Sequence, residues 1–380
     1  MVRPGRMNGL PDCAGDTVRD RAVLVTGGAG FIGSALCRRL IRGGRTRVVN
    51  LDKLTYAGSL AALADIERSP HYRFVQGDIA DTALVAALLR EERIDAVMHL
   101  AAESHVDRSI AGPAIFVATN ITGTFHLLET ALSYWESLGE EARARFRFHQ
   151  ISTDEVFGDL PFGKGEFDEL SLYRPSSPYA ASKAAADHFV RAWHRTYGLP
   201  VVISNCSNNY GPYQNREKLI PRTIARAARW ETVPVYGTGV NVRDWLHVDD
   251  HVQALEMVMR AGTPGESYVI GGREQRSNIE VVTAICDILD ARSPVTDARP
   301  RRDLIRLVPD RAGHDRRYAV DPSRIEREFG WRAQTKFADG LTATIDWYLA
   351  GKMPRPGLAF PSAASPKDER WHWDMSVTPT

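Results

Sequence analysis

The sequence predicts an α/β fold, a Rossmann-type doubly wound parallel sheet followed by a smaller α/β C-terminal lobe. Three features carry this expectation. Short apolar runs alternate with helix-patterned segments, the rhythm of βαβ units. The first run opens into a glycine-rich turn, Gly27-Gly28-Ala29-Gly30-Phe31-Ile32-Gly33. Later runs end in small or acidic residues, where open sheets of this class hold ligands.

Residues 1–20 are rich in Gly, Pro and charge and are expected to form a flexible arm, with Met7 a second candidate start. Residues 22–26 are a continuous apolar run, as in a strand buried on both faces. Gly27, Gly30 and Gly33 follow at GxxGxxG spacing, and a helix pattern continues to about Arg42 with Leu36, Leu40 and Ile41 on its apolar face. Glycine in such a turn permits a tight bend, close approach to a pyrophosphate and close helix–strand packing. The helix N-terminus then faces phosphate oxygens.

Residues 47–51 form a second strand ending at Asp52, 19 positions after Gly33. An acid there suits a ribose 2′-hydroxyl and repels a 2′-phosphate, so NAD is expected over NADP. Lys53 works against that argument, since a cation tolerates a phosphate, and a capping role for Asp52 is the alternative. A third strand over 73–76 leads to Asp78 and Ile79. Asp78 is placed either to accept from an adenine amino group or to cap a helix over 81–90. A fourth strand over 96–100 ends in Ala101-Ala102-Glu103-Ser104, small residues against which a ribose or pyrophosphate can lie. A helix over 113–134, a strand over 146–151, a helix over 179–197 and a strand over 201–204 continue the pattern.

Beyond this the alternation becomes irregular. Loops over 218–221, 235–239, 243–245 and 311–318 carry aromatics and cations, which suit a nucleoside diphosphate: a ring to stack on the base and cations for the phosphates. The expected organisation is therefore an arm over 1–20, an NAD-binding domain over 21–205 and a mainly nucleotide-sugar-binding domain over 206–349, some of whose segments return to the first. A Pro- and Ser-rich extension over 350–380 contains Trp371 and Trp373, which suggest that it docks somewhere.

The 380 residues, 43% hydrophobic and 25% charged, are the balance of an ordinary globular chain. A net charge of +1 gives no electrostatic case for nucleic acid or an anionic membrane as partner. No apolar run reaches the roughly 18 residues of a membrane span, and residues 1–20 do not resemble a secretory signal. Cys13, Cys37, Cys206 and Cys286 lack metal or redox spacing and read as free thiols of a cytoplasmic protein.

The chemistry is expected at Ser152-Thr153-Asp154-Glu155 and at Tyr179-Ala-Ala-Ser-Lys183. The first run closes a strand and the second opens a helix. Tyr179 and Lys183 are four apart, so they share a helix face, and an ammonium beside a phenol is expected to lower the phenol pKa. Tyr179 then becomes a base for a substrate hydroxyl near neutral pH. Asp154 and Glu155 form a carboxyl pair whose pKa values can be pushed apart into acid and base roles. His247 and His251 have zinc-like spacing, but Asp249-Asp250 between them read better as a helix N-terminus, and no metal is expected. His105 reads as structural.

These motifs resemble the extended short-chain dehydrogenase/reductase family and, within it, the dTDP-glucose 4,6-dehydratases, over about residues 21–349. The general motif is Thr-Gly-Gly-Ala-Gly-Phe-Ile-Gly (26–33). More specific are the Asp154-Glu155 pair and Asn-Asn-Tyr-Gly-Pro-Tyr-Gln (208–214), with 51–58, 101–110, 177–183 and 313–318 in support. Phe157 departs from the tyrosine usual in the family.

The resemblance implies a tightly bound NAD held by Gly27, Gly30, Phe31, Ile32, Gly33, Asp52, Lys53, Leu54, Thr55 and Gly58, and by Asp78, Ile79, Leu100, Ala101, Ala102, Ser104, Thr119 and Ser152, together with Tyr179 and Lys183. It implies dTDP-glucose as substrate and a three-part reaction. Tyr179 takes the 4-hydroxyl proton while hydride leaves C4, and Thr153 orients that hydroxyl. Glu155 removes the C5 proton and Asp154 protonates the departing 6-hydroxyl. Hydride then returns to C6. Ser104, Asn208, Lys218, Leu219, Tyr236, Arg243, Asn278, Arg311 and His314 are implied as substrate contacts. A homodimer through the helices over 113–134 and 179–197 is implied as well.

Rival readings are an epimerase, a decarboxylase, a dehydratase of a UDP-sugar and a non-catalytic dinucleotide-binding protein. The carboxyl pair argues against an epimerase. No cationic site for a 6-carboxylate is evident for a decarboxylase. A single methyl separates thymine from uracil, so the UDP-sugar reading stays open. The intact Tyr179, Lys183 and carboxyl pair argue against a binding protein.

Overall fold

The computed structural model describes residues 21–293 and 299–351. The expected arm, Met7, Cys13, Trp371, Trp373 and all but the first two residues of the expected extension lie outside these. Strands run in chain order as β1 (Arg21–Thr26), β2 (Thr46–Asp52), β3 (Tyr72–Gln76), β4 (Ala96–His99), β5 (Arg147–Thr153), β6 (Val201–Cys206), β7 (Asn208–Tyr210), β8 (Val233–Tyr236), β9 (Val242–His247), β10 (Ser267–Ile270), β11 (Gln275–Ser277) and β12 (Ile305–Val308). Seven form one parallel sheet in the order β10-β6-β5-β4-β1-β2-β3. The order reverses between β1 and β4, which opens a crevice beyond the strand carboxyl ends.

Successive β1 residues serve opposite layers, as the period of two requires. Val23 and Val25 pack into a core with Leu36, Leu40, Val252 and Leu255. Leu24 packs into another with Val85, Leu128 and Phe148. Both faces are buried, which is why the strands read as unbroken apolar runs. The helix Val248–Ala261 lies against Phe31–Arg42, and β10 completes the sheet edge, so the later half of the chain returns to the first domain's core.

The smaller lobe carries the sheets β11-β9-β7 and β12-β8. Helices Leu219–Ala228, Asn278–Arg292 and Phe337–Leu349 enclose its core with Ile224, Trp245, Ile285 and Leu341. The single helix expected over 113–134 is a correction. It is a short α-turn Ala114–Phe116, a π-helical stretch Val117–Gly123 and an α-helix Thr124–Glu136. Apolar periodicity does not register the one-residue insertions that make such stretches, which often sit at functional sites.

Leu255 is fully buried where two of these helices meet. Leu255→Ala is expected to lower stability by about 2–5 kcal/mol, read as a shift in the denaturation midpoint.

Candidate active site

The glycine turn connects β1 to the Phe31–Arg42 helix. Gly27 has φ +72°, and a Cβ there would stand 2.7 Å from the Ala101 backbone nitrogen. A Cβ on Gly33 would stand 2.1 Å from the Gly27 carbonyl oxygen. Gly30, by contrast, meets only the Gly27 carbonyl, at 3.2 Å, and leaves its other side open. It is also the N-cap, with no side chain capping the helix, so the first helical N–H groups are available to an anion. Gly28 was not among the sequence candidates, yet its Cβ would fall 2.3 Å from the buried Asn50 side chain.

Asp52 accepts from the Ala29 N–H at 2.9 Å and the Leu54 N–H at 2.7 Å, pinning the glycine turn to the β2 loop. Leu54 takes a left-handed φ of +58° there. Burial pushes the Asp52 carboxyl up, and these two hydrogen bonds draw it back. Lys53 donates to Asp78 at 2.6 Å, so its charge is matched inside the protein. Asp78 is not the helix cap. Asp81 caps Thr82–Glu91 through the Leu84 N–H, while Asp78 accepts from Ala80 at 3.0 Å. Although partial burial acts the other way, the Ala80 and Lys53 hydrogen bonds hold the Asp78 carboxyl below its ordinary range.

A cavity of about 470 Å³ runs from this turn to the end of β5. It is lined by every cofactor candidate except Leu54, by all five catalytic candidates and by Asn208 and Lys218. An uncapped helix start, an acid at the end of β2 and small residues after β4 fit a dinucleotide with an unphosphorylated ribose.

Thr153 ends β5 and caps the 3₁₀ turn Asp154–Phe157, accepting from the Glu155 N–H at 3.3 Å. Its hydroxyl donates to Asp154 Oδ1 at 3.3 Å. The helix Pro178–Tyr197 faces this turn. Ser177 caps it at the Ala180 N–H, Pro178 occupies its start and Gly198 ends it at φ +77°. Tyr179 is held edge-on to Phe116, with ring centroids 6.4 Å apart. Lys183 is buried and donates to the Ile151 carbonyl at 2.7 Å. Phe157 stacks on Phe167, centroids 5.1 Å apart, in an apolar cluster that has no need of a tyrosine hydroxyl.

Two residues that sequence reasoning missed hold this arrangement. Asn120, in the π-helical stretch, accepts from the Glu103 N–H at 2.8 Å and donates to Ser182 Oγ at 2.9 Å. It thereby ties the loop after β4 to the helix of Tyr179 and Lys183. Asp187, one turn beyond Lys183, accepts from Ser152 Oγ at 2.6 Å. Neither lies in a motif, so no local signal marks them.

The electrostatics separate the two carboxyl groups. Burial, and then Glu155, raise the Asp154 carboxyl well above its ordinary range, and its Oδ2 has no hydrogen-bond partner. Burial also raises Glu155, but Arg311, Lys218 and Arg243 act to lower it. Tyr179 is a correction. Burial, followed by Glu155 and Cys206, pushes its phenol well up, and Lys183, turned to the Ile151 carbonyl, does not reverse this. Burial lowers the Lys183 amine, and Asp187 offsets part of that.

On the outer side, Lys218 donates to the Ser104 carbonyl at 2.8 Å. Arg243 is buried, donates to the Asp315 carbonyl at 3.0 Å and stacks 4.3 Å above the Tyr318 ring. Tyr236 and Arg311 meet at Asp107, at 3.2 and 3.5 Å. His314 pairs with Asp310 at 2.6 Å and lies edge-on to Tyr236. Leu219 and Asn278 begin helices, and neither lines the cavity. His105 caps Val106–Ala111, and His247 caps Val248–Ala261, whose first turn holds Asp249 and Asp250. His251 bonds Asn209 at 2.9 Å.

The sequence profile of the GDP-mannose 4,6 dehydratase family matches residues 24–344. A dTDP-glucose 4,6-dehydratase of Salmonella typhimurium is 53% identical over 336 residues, 86% of this chain and 92% of that protein. One of Neisseria gonorrhoeae is 55% identical over 335 residues, 88% of this chain and 97% of that protein. Among solved structures, a dTDP-glucose 4,6-dehydratase from Streptomyces venezuelae with NAD and TYD bound matches with a TM-score of 0.79 and 46% identity, covering 87% of this chain and 98% of that one. The Thermus thermophilus UDP-glucose 4-epimerase in complex with NAD matches with a TM-score of 0.75 and 28% identity, covering 86% and 99%.

Gly33→Ala is expected to force the Gly27 carbonyl out of place. Titration with NAD should show affinity reduced by roughly tenfold or more, about 1.4 kcal/mol, with the far-ultraviolet spectrum unchanged.

Proposed function

Because the chain belongs to the nucleotide-sugar 4,6-dehydratase family of extended short-chain dehydrogenase/reductases, we propose that it converts dTDP-glucose to dTDP-4-keto-6-deoxyglucose as an NAD-dependent hydro-lyase of deoxysugar biosynthesis. The observation that carries this reading is the Asp154-Glu155 pair at the end of β5. The two carboxyl groups are adjacent, Asp154 is buried and Glu155 half-buried, and their surroundings differ. An epimerase has no use for such a pair.

NAD held by the glycine turn, Asp52 and the loop after β4 would supply the acceptor that takes hydride from C4 and returns it to C6. Tyr179 takes the 4-hydroxyl proton as its phenolate, which the Lys183 ammonium on the same helix face favours against the burial that raises the phenol, and Thr153 orients that hydroxyl. The resulting 4-ketone acidifies C5–H. Glu155, with three cations favouring its ionised form, takes the C5 proton. Asp154 donates its proton to the departing 6-hydroxyl, so that water leaves, and when hydride adds at C6 a proton exchanged with solvent returns to C5. We assign Asn208 to the substrate diphosphate, Lys218 and Tyr236 to the base, and Arg243, Arg311 and His314 to the phosphates and ribose; that Lys218, Arg243 and Arg311 all act on Glu155 supports their gathering at one end of the crevice. Residues 21–205 supply most of the cofactor site and 206–349 most of the substrate site.

Incubation with dTDP-glucose is expected to give a product lighter by one water, with no net reduced cofactor. UDP-glucose should react more slowly, since the extra thymine methyl is worth about 1–3 kcal/mol in an apolar pocket. A product of unchanged mass carrying the galactose configuration would refute the roles given to Asp154 and Glu155.

Reaction in deuterium oxide should place deuterium at C5 of the wild-type product. Glu155→Gln should abolish water loss and C5 labelling by a factor of roughly a hundred or more. Asp154 must be protonated and its pKa is raised, so elimination is lost as pH rises through that pKa. Glu155 must be ionised, so activity is lost as pH falls through its own. A bell-shaped profile of elimination is expected, measured by water loss across pH.

We also propose a cytoplasmic homodimer. Cys37, Cys206 and Cys286 are buried and unpaired, as suits a reducing compartment. Among the described residues no helix is long and apolar enough to cross a membrane. Helices Thr124–Glu136 and Pro178–Tyr197 share an aromatic surface in which Phe125, Phe189, Trp193 and Tyr197 meet edge-on, with Phe189 and Tyr197 exposed. Phe189→Glu with Tyr197→Glu is expected to halve the mass measured by light scattering.

A further inference from the structure

Asp187 is wholly buried and does not line the cavity. Its carboxylate accepts from four neutral side chains. Oδ2 takes Ser152 Oγ at 2.6 Å, the Tyr173 hydroxyl at 3.0 Å and Asn205 Nδ2 at 3.5 Å. Oδ1 takes Gln150 Nε2 at 3.3 Å. Gln150 and Ser152 flank Ile151, whose carbonyl receives Lys183 Nζ at 2.7 Å. The carboxylate therefore grips β5 on both sides of the group that holds the lysine, two residues before Thr153.

Neutral donors alone leave a buried charge uncompensated, which is costly in a low-dielectric interior. Lys183, one turn earlier on the same helix face, is too far for a direct ion pair, but its ammonium is favoured by the Asp187 charge. Other titratable groups around Lys183 do not supply a counter-charge. Cys206 on β6 is a buried thiol whose pKa is raised, and His99 on β4 is held neutral between Thr26 and Thr124. Arg191 reaches Asp187 only through the Tyr173 hydroxyl, to which it donates at 2.9 Å.

We propose that Asp187 is a positioning residue for Lys183: a buried counter-charge that keeps the amine an ammonium and, through Gln150 and Ser152, fixes the β5 carbonyl the ammonium points to. The proposal rests on the functional reading in which the Lys183 ammonium favours the Tyr179 phenolate in the first step. It predicts that the charge of Asp187, more than its bulk, matters to the first chemical step.

The oxidation step can be read alone in a Glu155→Gln background, by reduced-nicotinamide absorbance after mixing NAD-loaded protein with dTDP-glucose. Adding Asp187→Asn is expected to move the alkaline limb of that step to lower pH by roughly one unit or more, because Lys183 then loses its proton more readily. An unmoved limb, with or without a slower rate, overturns the proposal. A second arm uses no substrate. Asp187→Asn should lower Tm more in the wild-type background than in Lys183→Met, where no ammonium is left to balance. Equal losses in both backgrounds overturn the proposal. Should Asp187→Asn alone fail to fold, the double variant is expected to fold, and its failure overturns the proposal too. If the wild-type protein does not dehydrate dTDP-glucose, the functional reading falls while the stability comparison still decides the role of Asp187.

Discussion

Charge taken out of water at the carboxyl ends of β5 and β6 is the constraint around which the structure is arranged. Asp154, Lys183, Asp187 and Arg243 are all nearly inaccessible to solvent. A buried ion is tolerated only when hydrogen bonds and an opposite charge replace its hydration. Lys183 has the Ile151 carbonyl, Asp187 has four donors, and Arg243 has backbone carbonyls and the Tyr318 ring. Asp154 is the exception. With one weak partner on Oδ1 and none on Oδ2, its carboxyl is raised well above its ordinary range, by burial first and then by Glu155. Its neighbour Glu155 has three cations close by and can be ionised. One peptide bond thus separates two carboxyl groups with different electrostatic surroundings.

The parallel sheet makes this possible. Every strand of such a sheet ends on the same side, so groups far apart in sequence converge without long loops. Asp52 ends β2, His99 ends β4, Thr153 ends β5 and Cys206 ends β6. The smaller lobe then brings cations to the open side of the crevice. Arg243 and Arg311, 68 positions apart in the chain, both act on Glu155. The π-helical stretch adds Asn120, which joins the loop after β4 to the catalytic helix.

Much of this was legible in the sequence, and the places where it was not share a cause. The glycine spacing predicted the turn because a Cβ at Gly33 would meet the Gly27 carbonyl, a contact made within seven residues of chain. Asp52 was recognised by its distance from that turn, yet its work on the Ala29 and Leu54 N–H groups required the folded loop to be seen. Helical spacing places Tyr179 and Lys183 on one face, but it carries nothing about the burial that raises the Tyr179 phenol or about the Ile151 carbonyl to which the Lys183 amine donates. Asn120 and Asp187 were not found because each acts on residues tens of positions away.

By itself the sequence determined most strands and helices of residues 21–205, the stretch over 117–123 excepted, where the chain must bend on glycine, and which side chains could exchange protons. These follow from local sterics and from periodicities of two and 3.6 residues. Only the tertiary structure decided how those side chains ionise. Ionisation depends on how much water remains and which charges lie across the crevice, and packing between distant segments sets both. The order in which Asp154 and Glu155 hold their protons is therefore a property of the fold, although the pair itself is written in two adjacent letters.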